Sequence, residues 1–205
     1  MDRRSFLTAS GGGILVSSLP YAFATEGLSA EGPEKSKVKI VQSKRTIDPG
    51  LSRRQWKTII TAQDHLFPSE SSTNGKSSAN SKPSSPGAKD VNAKAYFYAV
   101  LADADRDDED RKLVKTGLIE LQDICWKQQQ KLFIDLSHEQ KDICLKLFEK
   151  TANGRPWIMT VLGYIFEALL VDPVYGGNPN GIGWKWLEHQ PGLPRPTADK
   201  RYFLL

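Results

Sequence analysis

Three histidines, two cysteines and a run of acids are the side chains of this 205-residue chain best suited to chemistry. His65 follows Asp64 in the predicted last turn of a helix. The pair could serve as a ligand or acid–base couple, and a histidine steadied by the negative end of the helix dipole is the simpler reading. His138 lies inside Ser137-His138-Glu139-Gln140, a capping box that opens a helix. Glu188-His189 is an adjacent pair in a loop, and neighbours in a loop seldom converge on one reacting atom. Cys125 and Cys144 form no C-x-x-C and, with three scattered histidines, make no zinc pattern. Both fall in apolar helical stretches, so they can be buried thiols or, in an oxidising compartment, a disulfide. Asp103, Asp105, Asp107, Asp108, Glu109 and Asp110 surround Arg106. Their D-x-D-x-D spacing offers oxygens to calcium, but the EF-hand glycine and closing glutamate are missing. Acids gathered at a helix N-terminus by its dipole are the simpler account. Glu167, on a strongly apolar helix, could be a buried functional carboxylate, and facing a partner or solvent is the simpler reading. A nucleophile elbow, a Walker A loop, a strand-borne G-x-G-x-x-G and a C-x-x-C-H haem site are all absent, and Gly181-Ile182-Gly183 is too short a fragment to count. The expectation is a chain with no catalytic, cofactor-binding or metal site of its own.

The elements that would carry these residues are helical. Ser52 can cap a helix to about Leu66, with Trp56, Ile59, Ile60 and Gln63 at helical spacing and Phe67-Pro68 ending it. A second helix spans about Val91 to Ala104. A third runs from about Asp108 to Lys131, with Val114, Leu118, Leu121 and Cys125 on one stripe. The Ser137 box opens a fourth, to about Thr151. Asn153-Gly154-Arg155-Pro156 reads as a turn with proline at the first position of a fifth helix, Trp157 to Leu170. That last helix is apolar on most sides, which marks a central element. No stretch alternates as a strand would, so the fold class is all-α: a small bundle of about five helices with an irregular Gly/Pro/aromatic C-terminal extension. Residues 25–50 read as a flexible leader, residues 51–205 as the domain, and the serine-rich stretch 69–89 as a disordered loop within it.

Composition limits the partners. Hydrophobic residues make up 39% and charged residues 25%, ordinary values for a globular domain. Net charge is +4 with 28 basic against 24 acidic residues, and no basic stripe suggests nucleic acid. At the N-terminus, Arg3-Arg4 precede Phe6-Leu7, a short apolar run and the small-residue site Ala22-Phe23-Ala24. Paired arginines, a modest apolar region and a cleavage site in that order read as a twin-arginine export signal over residues 1–24. Cleavage after Ala24 would remove Asp2, Arg3 and Arg4, lowering the net charge by one to +3. The apolar run is too short for a stable membrane span, so the expected product is a periplasmic protein exported already folded by the Tat translocase.

The most structured non-helical stretch is Asp172-Pro173-Val174-Tyr175-Gly176-Gly177-Asn178-Pro179-Asn180-Gly181-Ile182-Gly183-Trp184-Lys185. Asp-Pro can stop a helix, and glycine and asparagine permit positive φ. So many special backbone positions beside Tyr175, Trp184 and Trp186 indicate a shaped loop. The aromatics suit an interface, or they close the chain's own core, with Trp184 the better plug and Tyr175 the better contact.

This D-P-x-Y-G-G-N…G-x-G-W-K…P-G pattern resembles the C-terminal signature of the gluconate 2-dehydrogenase subunit 3 family. The Phe67-Pro68…Pro86-Gly87-Ala88-Lys89 framing is similar to that family too, over roughly residues 52–192. The resemblance implies a cofactor-free small subunit of a membrane-associated dehydrogenase. Its partners would be a large FAD-dependent subunit and, in those complexes that contain one, a multihaem cytochrome c subunit, and membrane association would be indirect. It further implies that Asp172, Pro173, Tyr175, Gly176, Gly177, Asn178, Gly183, Trp184, Pro191 and Gly192 shape a docking loop. The long serine-rich loop and the tail Leu193-Pro194-Arg195-Pro196-Thr197…Tyr202-Phe203-Leu204-Leu205 depart from the family pattern, and the tail could wrap a partner in extended form. Two other function classes stand beside it: a stand-alone sugar-binding protein or enzyme using the aromatic loop as its platform, and an exported structural protein with an unrelated partner.

Overall fold

The computed structural model describes residues 46–70, 85–106 and 108–201. The export signal (Arg3, Arg4, Phe6, Leu7, Ala22, Ala24), the leader to residue 45, the serine-rich stretch 71–84, Asp107 and the tail from Tyr202 lie outside these residues. Within them the chain forms six α-helices: α1 (Arg53–Leu66), α2 (Ala93–Ala102), α3 (Asp108–Gln129), α4 (His138–Glu149), α5 (Gly154–Leu170) and α6 (Ile182–Leu187). None of them is long and apolar enough to cross a membrane.

Two capping boxes set the starts of α1 and α4. Ser52 and Ser137 each accept a bond from the backbone N–H three residues on, while Gln55 and Gln140 reach back to the cap N–H. Each box satisfies two N–H groups that the first turn leaves without partners. The expected boundaries shift at two other helices. Asn92 adopts a left-handed conformation (φ 56°), so α2 begins at Ala93 rather than Val91. The fifth helix begins at Gly154, which places Pro156 within the first turn instead of at its first position. Proline is tolerated there because that turn's N–H groups have no intrahelical acceptor.

Helix α5 packs against all five of the others, the central place expected of it, but one side stays open, with Met159 61% and Leu170 48% exposed. Trp157, Val161, Ile165, Ala168 and Leu169 are completely buried along it. The Trp157 ring meets Phe148 edge-on at 5.6 Å, and its Nε1–H donates to the Val114 carbonyl at 3.2 Å. The segments read as loop contribute to this packing. Ile47 N–H donates to Ala102 O at 2.8 Å, anchoring the end of the leader. Ala88, at the end of the serine-rich stretch, is buried and donates to Phe67 O at 2.7 Å.

The acidic run is organised by arginine. Arg111 is nearly buried and donates to the carbonyls of Leu101 (3.3 Å), Asp103 (3.0 Å) and Arg106 (2.8 Å), and to the Asp108 carboxylate (3.1 Å). It thereby satisfies the C-terminal carbonyls of α2 and ties them to the first turn of α3. Arg106 donates to the Tyr164 hydroxyl (2.8 Å), which in turn donates to Asp110. Burial and the Asp110 carboxylate push the Tyr164 phenol up to about 12. Asp108 and Asp110, two of the oxygens a calcium ion would need, are therefore engaged by cations. Arg111→Met is expected to cost about 2–4 kcal/mol in urea unfolding, because three carbonyls lose a charged donor at once. A change under about 1 kcal/mol would show the clamp to be dispensable.

Candidate functional site

The C-terminal segment folds back over the end of α5 and is more regular than its composition suggested. Two 3-10 turns, Pro173–Tyr175 and Pro179–Gly181, lead into α6, which takes up the G-x-G-W-K portion expected as loop. Asp172 caps the first turn by accepting from Val174 N–H at 3.0 Å. Gly176 then turns left-handed (φ 94°), and its carbonyl accepts from the Asn92 side chain at 2.7 Å.

Asn178 is the centre of this cap. It is completely buried in a left-handed conformation (φ 48°). Its Nδ2 donates to Val171 O at 3.1 Å, its Oδ1 accepts from Gly183 N–H at 2.7 Å, and its own N–H donates to Val91 O at 3.0 Å. One side chain thus joins the end of α5 to the start of α6, and its backbone joins both to the approach to α2. Gly183 sits so close that an added Cβ would fall on the Leu169 carbonyl oxygen, and one at Gly177 would press on Ala168 and Val171. Trp184 is 8% exposed and donates from Nε1 to Leu170 O at 2.7 Å, while Trp186 is 4% exposed. The Arg195 guanidinium covers the Trp184 ring at 5.1 Å and bonds Asp172 at 2.8 and 3.3 Å.

The ten motif positions therefore do not form one surface. Gly177, Asn178, Gly183 and Trp184 are interior, Asp172, Pro173, Tyr175 and Pro191 are half-buried, and Gly176 and Gly192 are exposed. The physical reason is close approach: the motif's glycines and asparagine let the backbone lie directly on α5. The Arg195 guanidinium holds the Asp172 carboxyl below its ordinary value. A depressed folded value contributes stability that is present above the unfolded carboxylate range and lost as pH falls through the folded value. Asp172→Asn should therefore be less stable than the parent at neutral pH, with the gap closing below about pH 4. Parallel melting curves that keep a constant gap down to acid would contradict this.

Elsewhere the structure brings together residues that are far apart in sequence. His65 does not pair with Asp64; its Nε2 lies 2.8 Å from Asp142 Oδ1, and its ring meets that of His138 at 4.3 Å. His138 and Asp142, one turn apart on α4, could have been read as sharing a face, but nothing local points to His65. Cys125 and Cys144 are both free and completely buried. They interact as neighbouring thiols, and burial followed by the adjacent Cys144 pushes the Cys125 thiol well up. Glu167 is exposed and accepts from the Tyr96 hydroxyl at 2.9 Å. Exposed His189 donates its backbone N–H to Trp184 O at 2.8 Å.

Two surfaces escaped the sequence reading. Arg53, Trp56, Lys57 and Ile60 of α1 with Lys94, Ala95 and Tyr98 of α2 line an open groove of about 680 Å³. Ile119 and Trp126 lie seven residues apart on α3, 59% and 54% exposed, a spacing that puts both on one face.

The family model for gluconate 2-dehydrogenase subunit 3 matches residues 53–192. The chain belongs to that family. The match begins at the first residue of α1 and ends at Gly192, so the family unit is the bundle together with its Asn178-centred cap. No curated protein and no solved structure matches the chain. A subunit 3 is by its name one component of a gluconate 2-dehydrogenase complex, and the family therefore implies partner subunits.

Proposed function

We propose that the chain is the non-catalytic small subunit of a periplasmic, membrane-associated, FAD-dependent alcohol or sugar dehydrogenase. It holds no redox cofactor of its own, stabilises the large flavoprotein subunit, and escorts that subunit through the Tat translocase. A multihaem cytochrome c subunit is the further partner that would carry electrons onward. The family match over residues 53–192 carries this reading. The Arg3-Arg4 segment supports the escort role, because FAD binding requires a folded protein and a twin-arginine route moves folded cargo. The competing sugar-binding reading relied on the C-terminal aromatics, and the burial of Trp184 and Trp186 removes two of the ring faces a sugar would stack on.

The test is a pull-down of the tagged chain from periplasm and membranes, read by mass spectrometry and flavin absorbance. A co-purifying flavoprotein, lost when Arg3-Arg4 become Lys-Lys, is the expected result. A colourless chain that comes down alone would overturn the proposal. For the contact itself, Ile119 and Trp126 have the size and exposure of interface anchors, and truncating such an anchor costs about 2 kcal/mol or more. Trp126→Ala should thus weaken the complex roughly 30-fold while leaving the melting temperature of the free chain unchanged. Unchanged affinity would place the interface on another face.

A further inference from the structure

We propose that His65, His138 and Asp142 form a three-ligand site for a divalent transition-metal ion of the zinc class, bracing the end of α1 against the first turns of α4. Two imidazoles and one carboxylate converge there, and their candidate ligand atoms all lie within 4.8 Å of one another. Imidazole nitrogen with carboxylate oxygen suits zinc, nickel or copper. Calcium and magnesium take all-oxygen sets, and softer ions seek thiolates.

The geometry is close to what such an ion needs and has room to reach it. Bonds of ~2.1 Å in a tetrahedral shell hold ligand atoms about 3.4 Å apart. The Nε2 to Oδ1 separation of His65 and Asp142 is already shorter, at 2.8 Å. The widest separation must close by about an ångström and a half, which rotation of exposed side chains can supply. His138 is exposed, and the Asp142 side chain is 49% exposed. The His65 side chain is only 7% exposed, so it is held by packing and acts as the fixed ligand against which the other two close. His138 and Asp142 sit at i and i+4 on α4 and project from one face. Three protein ligands leave a fourth position for water, and the exposure of His138 gives the ion a path in.

The His65–Asp142 hydrogen bond alone does not account for His138. A structural His65–Asp142 bond needs no third member, and the capping box that opens α4 uses the side chains of Ser137 and Gln140 rather than the imidazole of His138. His138 is therefore the residue whose removal separates a metal site from a plain hydrogen-bonded pair. An ion here would add a direct link between α1 and α4, beside the packing of α1 on the 3-10 turn Phe133–Asp135 that precedes α4.

The experiment uses the purified chain, stripped with a chelator and titrated with Zn²⁺ alone by calorimetry and thermal melting. One equivalent should bind saturably and raise the melting temperature, with reversal by chelator, and Mg²⁺ or Ca²⁺ should not substitute. Cobalt in place of zinc should give the visible absorption of a four-coordinate site. His138→Ala should leave the metal-free melting temperature at the parent value. It should weaken Zn²⁺ binding by more than about tenfold, the least that loss of even an outer-shell partner costs. Asp142→Asn should weaken binding as well. Absence of saturable binding, affinity unchanged in His138→Ala, or equal stabilisation by Ca²⁺ would each overturn the proposal.

Discussion

Asn178→Ala should lower the stability of the chain by about 3–5 kcal/mol, enough to loosen the C-terminal cap from the bundle at ordinary temperature. Three costs add. The Gly183 N–H and the Val171 carbonyl lose their side-chain partners at a completely buried position, and each such loss costs about 1–3 kcal/mol. Alanine must also hold φ near 48°, a conformation that asparagine tolerates better. Asn178→Gly removes the third cost and keeps the first two, so it should be milder than alanine by about 1 kcal/mol. Urea unfolding of the three proteins measures both differences. Near-equal midpoints for parent and alanine variant would mean that the cap is held by its aromatics instead. Gly183→Ala tests the same junction from the other side, since its Cβ would meet the Leu169 carbonyl. If the cap belongs to the partner-binding unit, the pull-down should fail with both variants.

Trp157→Ala should be as damaging, at about 3–5 kcal/mol, a large fraction of the 5–15 kcal/mol typical of a domain. Its ring is completely buried between α3 and α4, stacked edge-on to Phe148, with its N–H on the Val114 carbonyl. The space it occupies exists because residue 117 is glycine: a Cβ there would enter the indole ring. Gly117→Ala should therefore cost about 1–3 kcal/mol by overpacking. In a Trp157→Leu background the clash is relieved, and the same alanine should cost at least ~0.5 kcal/mol less. A double-mutant cycle reads the coupling directly. Strict additivity would show that Gly117 serves backbone geometry and not the fit of the tryptophan.

Local patterns in the sequence were sufficient for much of the bundle. Ser52 and Ser137 announced two helix starts, and Phe67-Pro68 an end. The apolar circumference of residues 157–170 announced the central helix, because capping and periodicity involve neighbours three or four residues apart. The family signature at 172–192 was legible for the same reason: it is contiguous. What the signature does was not. Asn178 and Gly183 look like loop residues by type, and only the approach of that segment to Leu169 and Val171 makes them interior. Arg106 and Arg111 sit among acids that suggest an ion site, until the end of α2 arrives to supply carbonyls to Arg111. His65 and Asp142 are 77 positions apart, and no periodic pattern links residues at that distance. Hydrogen bonding along the chain determines which segments are helices. Packing around α5 decides which distant side chains meet, because burying the face that carries Trp157, Val161, Ile165 and Leu169 draws all five other helices, and the residues at their ends, into one place.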